Sequence, residues 1–467
     1  MEQTSQESKG FYKLSWLQRI GFGSGDLAQN LIFQTTCMYL LFFYTDIYGL
    51  DAVDVSVMFT VGNIANVIWD PIVGALIDKH NPKLGKYRSY LVFVGIPLSG
   101  FAILCFWNGF APSLLYAYIT YIAMTLLYTF INVPYGALNS SLTRDTDEIT
   151  VLTSVRMFMA NCGGLAVGSG LPLLIAYFTD QKADGLPKDP VAWFTTMTIY
   201  AVVGLALLLF CFSQCKERVV MNAEESANVK ISDLWMEFFH NRPLRIIAFF
   251  FITAFAMMSI GNAAGAYFMN SNMHGTSEQL SIFMGLGSAP SSIFMPLVPM
   301  IKRAIGKKNM FYVFLGIAIV GMAFLYFVAK MDEPSMTLVY IAQFVKSTGV
   351  IVATGYMWAL VPEVISYGEY KSGKRIAGIV NALTGIFFKA GMTLGSVVAP
   401  AILAYVAYNP KSVEQTPFAQ EGILWLVCVI PAALLLLAMF IISKYELTDE
   451  VIDDINQKIE ARHKAEA

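Results

Sequence analysis

The chain has 467 residues, 56% apolar and only 14% charged, and its mean hydropathy is +0.57. A water-soluble domain carries roughly 45–50% apolar and about 25% charged residues, so a soluble enzyme is excluded. The 31 basic and 33 acidic residues leave a net charge of −2, which excludes a disordered chain or a nucleic-acid binder. A membrane protein with many spans remains.

Residues 1–18 mix acids, bases and polar residues with no short apolar core, so no cleaved signal is expected. A bilayer core takes roughly 20 apolar residues per helix. Twelve such segments are expected, at 18–46, 52–78, 88–108, 113–143, 149–178, 191–213, 243–271, 278–301, 309–329, 334–365, 376–407 and 419–443. The apolar runs are too long, and alternate too little, for barrel strands. Cys37, Cys105, Cys162, Cys211, Cys215 and Cys428 fall in or beside these runs, and only four histidines exist. No zinc or haem site is expected, and the cysteines read as small packing residues.

Basic residues set the orientation. Lys182, Lys188, Lys330 and Lys411 fall in outer loops when the N-terminus is inside, and Arg156, Lys346 and Lys389 fall within spans. The rest of the 31 lie on the inner side, so both termini are expected to be cytoplasmic. The polar stretch 214–242 divides the chain into an N-terminal bundle (1–213, with a short tail) and a C-terminal bundle (243–443), followed by a tail, 444–467. Each half has a basic loop between its second and third helices, Asp78 to Arg88 and Lys302 to Lys308, with Gly85 and Gly306 almost half a chain apart. A six-plus-six pseudo-repeat around a central site is the architecture of the major facilitator transporters. The expected fold class is therefore an all-α membrane protein with the major facilitator fold, twelve transmembrane helices in two pseudo-symmetric six-helix bundles.

Charges at membrane depth cost about 2.5–3.5 kcal/mol even on lenient scales and mark substrate or ion paths. Six qualify: Asp26, Asp70, Arg156, Lys346, Glu363 and Lys389, three acids against three bases. Asp26 follows Gly21, Gly23 and Gly25, which read as sites of close helix approach or bending. Asn30 lies one turn on, and Asp26 is expected to accept hydroxyls from a polyol in preference to a purely structural pairing. Asn63, Asn66 and Asp70 share one helical face, where a lone carboxylate among amides suits a reversible proton carrier; a helix-end cap or gate contact is the alternative. Around Pro134, Asn132 and Tyr135 are candidates to face a cavity, with a packing kink as the plainer alternative. Arg156 always carries its charge, Lys389 sits too deep to snorkel easily, and Lys346 is close enough to the outer end to do so. Asp78, Lys86, Arg88 and Glu363, at inner helix ends, are read as gating residues.

At these residues the chain resembles the glycoside–pentoside–hexuronide:cation symporters, the melibiose-permease-like branch of the major facilitator superfamily. The resemblance spans essentially the whole chain. Its most specific pieces are Gly25-Asp26, Tyr44-Thr45-Asp46, Asp70-Pro71-Ile72-Val73-Gly74, Gly85-Lys86-Tyr87-Arg88 and Tyr367-Gly368-Glu369-Tyr370. Asn132-Val133-Pro134-Tyr135-Gly136 is closest to the glucuronide and xyloside branch. The resemblance implies sugar contacts by Asp26, Arg156 and Lys389, and a cation site at Asp70 with Thr129. Departures matter: Asn66 and Asn132 stand where melibiose permease has its second cation and second sugar aspartates. Gly136 replaces a nearby tryptophan, and Ala377, after Arg375, replaces a frequent glutamate.

The function expected is cation-coupled import of a sugar, glycoside or uronide across the inner membrane by alternating access, by a monomer with no cofactor. A lipid or drug transporter on the same fold is the alternative, disfavoured by an interior offering Asp26, Asn30, Asn132, Arg156 and Lys389. No zinc-protease pair, nucleophile elbow or nucleotide loop points to an enzyme. With Asn66 removing one of two carboxylates, the coupling ion is expected to be a proton on Asp70. Sodium at Asp70, completed by Asn66 and Thr129, is the alternative.

Overall fold

The computed structural model describes residues 13–80, 82, 84–143, 146–179, 186–218, 238–372, 377–410, 412 and 414–466. Helix α1 covers Trp16–Thr35 and continues through π-helical turns at Thr36–Leu40 and Phe43–Ile47. It starts on a reciprocal cap: the Gln18 amide donates to the Ser15 hydroxyl, and the Ser15 amide to the Gln18 side chain. Next come α2 (Ala52–Lys79), α3 (Ser89–Leu104), α4 (Leu114–Leu142) and α5 (Thr146–Leu165, a π-helical Ala166–Gly170, then Leu171–Phe178). Helix α6 (Pro190–Gln214) begins with Asp189 as cap and proline at its first position.

The second half holds α7 (Arg242–Tyr267, with a π-helical Phe268–Asn272) and α8 (Ser277–Phe294, continued at Val298–Ile305). Then follow α9 (Lys307–Ala329), α10 (Met336–Met357, then Leu360–Ser372), α11 (Ala377–Tyr405) and α12 (Pro417–Ser443). The tail forms a further polar helix, α13 (Asp449–Glu466).

Among the described residues, nine helices are long and apolar enough to cross a membrane. Of the twelve expected segments, α1, α3 and α8 fall outside that group, each for a visible reason. Helix α1 carries Arg19, Asp26, Gln29, Asn30 and Gln34. Helix α3 is the shorter apolar helix Ser89–Leu104, and α8 is interrupted by a 3-10 turn at Met295–Leu297. Proline inside that turn removes an amide donor from the ladder.

By packing, the chain forms two compact units that do not follow the halves expected from the sequence. The first contains 1–225, 265–288 and 400–419; the second contains 226–264, 289–399 and 420–467. Of the five borders, two fall at residues that weaken a helix, Gly265 in α7 and Pro400 in α11, and another falls just before Pro290 in α8.

The glycines of α1 explain how a polar helix sits inside the first unit. A Cβ on Gly21 would lie 2.5 Å from Gln214 Cβ of α6, and one on Gly23 would lie 2.9 Å from Met159 Cγ of α5. On Gly25 it would lie 2.5 Å from the Tyr135 ring of α4. Three helices therefore approach α1 at backbone distance, the close-approach reading of these glycines. Gly25→Val should overpack this contact and cost about 1–3 kcal/mol, read as a lower thermal unfolding midpoint of the purified protein. An unchanged midpoint would mean that the helices separate freely there.

Candidate functional site

Close packing brings Asp26 and Arg156 together. Arg156 Nε donates to Asp26 Oδ2 at 2.8 Å, with the two side chains 24% and 11% exposed. The pair is sheltered but reachable. Among the described residues the bond engages one carboxylate oxygen and one guanidinium nitrogen, leaving Oδ1 and the terminal nitrogens for another partner. Asn30 continues the polar line: its amide donates to the Asp26 carbonyl at 2.9 Å, and Gln34 donates to Asn30 Oδ1 at 3.3 Å. Asn132 is half-buried on α4, three residues before Tyr135.

Tyr135 sits differently from the expectation. It is fully buried, its hydroxyl donates to the Phe22 carbonyl at 2.6 Å, and its ring stacks on Phe22. The Arg156 guanidinium lies 5.1 Å from the ring centroid. The structure thus makes Tyr135 a support beneath Arg156, because the bare face of Gly25 draws its ring into the helix contact.

The polar face of α2 is well separated from its apolar face. Ile64, Val67 and Ile68 are exposed, whereas Asn63, Asn66 and Asp70 are half-buried. Asn66 Oδ1 is buried with no hydrogen-bond partner among the described residues, and Asp70 Oδ1 is equally sheltered from solvent. Trp69 Nε1 donates to the Leu126 carbonyl at 3.2 Å and fixes the register of α2 on α4. Thr129, one turn beyond Leu126, is buried.

At the far end of this unit the basic loop acts through its backbone. The amides of Lys86, Tyr87 and Arg88 donate to the Glu217 carboxylate at 2.9, 2.8 and 2.8 Å. Gly85 has φ +122°, and a Cβ there would lie 2.9 Å from Glu217 Oε1. The Arg88 side chain turns back to the Leu84 carbonyl and over the Phe212 ring. Lys86 and Arg88, read from the sequence as gating residues, present their backbone amides to Glu217 as an anion cradle. The Asp78 side chain lies outside the described residues.

In the second unit, Lys389 is half-buried in mid-α11, beside a contact where Phe388 meets Phe255 edge-on and the Ser259 hydroxyl donates to the Met392 carbonyl. The backbone of Lys346 lies against Gly321 of α9, with no room for a side chain between them. Glu363 pairs with the buried Lys307 at 2.7 Å and accepts from the Tyr445 hydroxyl at 2.9 Å. Lys307 also reaches the Leu447 carbonyl and Asp449, which Lys302 binds at 2.7 Å. Partial burial pushes the Asp449 carboxyl up, but Lys302 and Lys307 outweigh it and hold it below its ordinary value. This contact is therefore complete above the usual carboxylate range and is lost only as pH falls below it.

Glu217, Glu148 and Asp46 were missed as partners. Arg19 binds Glu148 through two bonds, at 2.7 and 2.9 Å, joining α1 to α5. Asp46 stood out only as part of a motif, and nothing in the local sequence marks Glu217 or Glu148, since an acid at a helix end reads as a solvated charge.

The family described as MFS/sugar transport protein matches residues 21–449, and the chain belongs to it. It is 40% identical to the uncharacterized symporter YnaJ of Bacillus subtilis (strain 168), covering 98% of this chain and 97% of that one. It is 30% identical to the glucuronide carrier protein homolog of Escherichia coli (strain K12), covering 97% of both. The crystal structure of a D-xylose-proton symporter superposes with a TM-score of 0.66 at 16% identity, over 92% of this chain and 97% of that one. The resemblance to the glycoside–pentoside–hexuronide:cation symporters and the transporter fold are thus borne out; the family is one of transporters, not enzymes.

Glu217→Ala should destabilise the protein by about 1.5–3 kcal/mol, the worth of hydrogen bonds to a charged group, and Glu217→Gln by less. Lys86→Ala, which keeps the amide, should cost little. Thermal unfolding of the three variants separates a backbone cradle from a side-chain gate.

Proposed function

We propose that this transporter is a multi-pass inner-membrane symporter that imports a sugar or glycoside with a cation by alternating access, both termini cytoplasmic. The Asp26–Arg156 pair carries this reading. A carboxylate oxygen beside guanidinium donors matches neighbouring sugar hydroxyls, each of which both donates and accepts. Because the two charges cancel, the pair favours a neutral hydroxylated ligand over a uronide. The name of the glucuronide carrier homolog supports a sugar-derived substrate. Asn30 and Asn132 would add neutral contacts, and Lys389 would add a positive charge if a uronide is carried.

Asp26→Ala should weaken sugar binding about ten- to a hundredfold, from the loss of a charge-assisted acceptor worth roughly 1.5–3 kcal/mol. Binding to purified protein, screened over neutral and uronic saccharides, checks both the residue and the substrate class. Undiminished binding by Asp26→Ala would remove it from the sugar site.

For coupling, α2 sets Asp70 on the face of Asn63 and Asn66, and one acid is sufficient for a proton. Sodium would have to draw its remaining oxygens from Asn66, Thr129 and backbone carbonyls. In energised vesicles without sodium, uptake is expected to persist and a protonophore to abolish accumulation. Asp70→Asn should lose uphill accumulation yet keep sugar exchange. Strict sodium dependence would overturn the proton assignment.

A further inference from the structure

The motif Tyr44-Thr45-Asp46 has no part in the sugar pair or the cation face, yet Asp46 is the most fully enclosed of the paired acids. Its side chain has no exposed surface. Oδ1 accepts from Lys188 Nζ at 2.9 Å and from the Tyr408 hydroxyl at 3.0 Å. Oδ2 lies 2.8 Å from the Thr45 hydroxyl, itself 2.6 Å from the Tyr267 hydroxyl. A hydroxyl has one proton to give, so if Thr45 donates to Asp46, Tyr267 donates to Thr45. Lys188 also donates to the Pro410 carbonyl at 2.7 Å.

These partners come from four separated segments: the end of α1, the turn before α6, the end of α7 and the residues after α11. Within the first unit, 265–288 and 400–419 join the N-terminal helices, while the stems of the same helices belong to the second unit. Two of the segments carry π-helical turns, Phe43–Ile47 and Phe268–Asn272, which re-aim side chains within a helix. The turn holding Lys188 is prearranged: Trp193 Nε1 donates to the Pro187 carbonyl, the Leu186 amide to Asn270, and Asp189 caps α6.

We infer that Asp46 keeps an outer gate: Lys188, Tyr408 and the Tyr267–Thr45 relay close it, and releasing the carboxylate opens the path for external sugar. This rests on the orientation and alternating access proposed above. The chemistry favours two states over a static brace. Lys188 is 38% exposed and readily rehydrated, whereas Asp46 without it would be a buried, uncompensated anion. Opening the mouth lets water solvate Asp46, so the closed state depends on the cation and the open state does not.

The test uses the full chain with its six native cysteines replaced, and nitroxides at Val191 and Tyr405, two exposed positions of the first unit. Lys188→Gln and Asp46→Asn should each raise the long-distance population about tenfold, the weight of one charge-assisted bond, without sugar present. Lys188→Arg should restore the short distance. A cysteine at Ser271, which is buried, should then react faster with an impermeant thiol reagent added outside. Unchanged distances in Lys188→Gln, which alters only a half-exposed side chain, would overturn the gate even if Asp46→Asn failed to fold. Labelling that rises only in inverted vesicles would overturn its outer placement. Neither readout depends on which sugar is carried.

Discussion

The Asp26–Arg156 pair is the constraint around which the first unit is built. A carboxylate and a guanidinium taken out of water are tolerated only when each compensates the other. For the two to meet at 2.8 Å, α1 must lie against α4, α5 and α6 closely enough that side chains on one face become obstacles. Gly21, Gly23 and Gly25 remove them. The same closeness seats the Tyr135 ring behind Arg156 and lets its hydroxyl satisfy the Phe22 carbonyl. A single requirement, pairing a charge in a low dielectric, thus dictates the glycines, the buried tyrosine and the orientation of the arginine.

The same rule operates at the two basic loops, with different means. In each half, the loop between the second and third helices is held by a carboxylate just past that half's last helix: Glu217 after α6, Asp449 after α12. Gly85 and Gly306 both take positive φ, +122° and +80°, which L side chains rarely adopt. The first loop presents three amides to its acid, while the second presents Lys302 and Lys307. The pseudo-repeat therefore preserves where a negative charge is needed more faithfully than which donor meets it.

Much of this was legible in the chain. The long apolar runs, the paired basic loops and the charges at membrane depth rest on residue type and short-range period, which sequence displays directly. The face of Asn63, Asn66 and Asp70 was visible for the same reason. Tyr135 was not, because spacing predicts a face of α4 but not how near α1 comes to it. Glu217, Glu148 and Asp46 escaped because their partners lie far along the chain, and pairing at long range leaves no local pattern. Helices α1 and α8 show the converse: polar residues and prolines that blur a hydropathy count are what the site and the helix break are made from.

The paired charges differ in what motion demands of them. Arg19–Glu148, Arg156–Asp26 and the Glu217 cradle draw on the first half of the sequence alone, so they can persist while that half moves as one piece. Glu363 with Lys307 does the same for the second half. Asp46 differs, since it gathers Lys188 from the first half and Tyr408 from the second, with Tyr267 reached through Thr45. In a carrier that alternates access, contacts within a half conserve structure, and contacts between halves must be made and broken. The cost of moving a buried carboxylate into water and back is smallest where its cationic partner is already half-exposed and rehydrates as the contact opens, which is the arrangement at the end of α1.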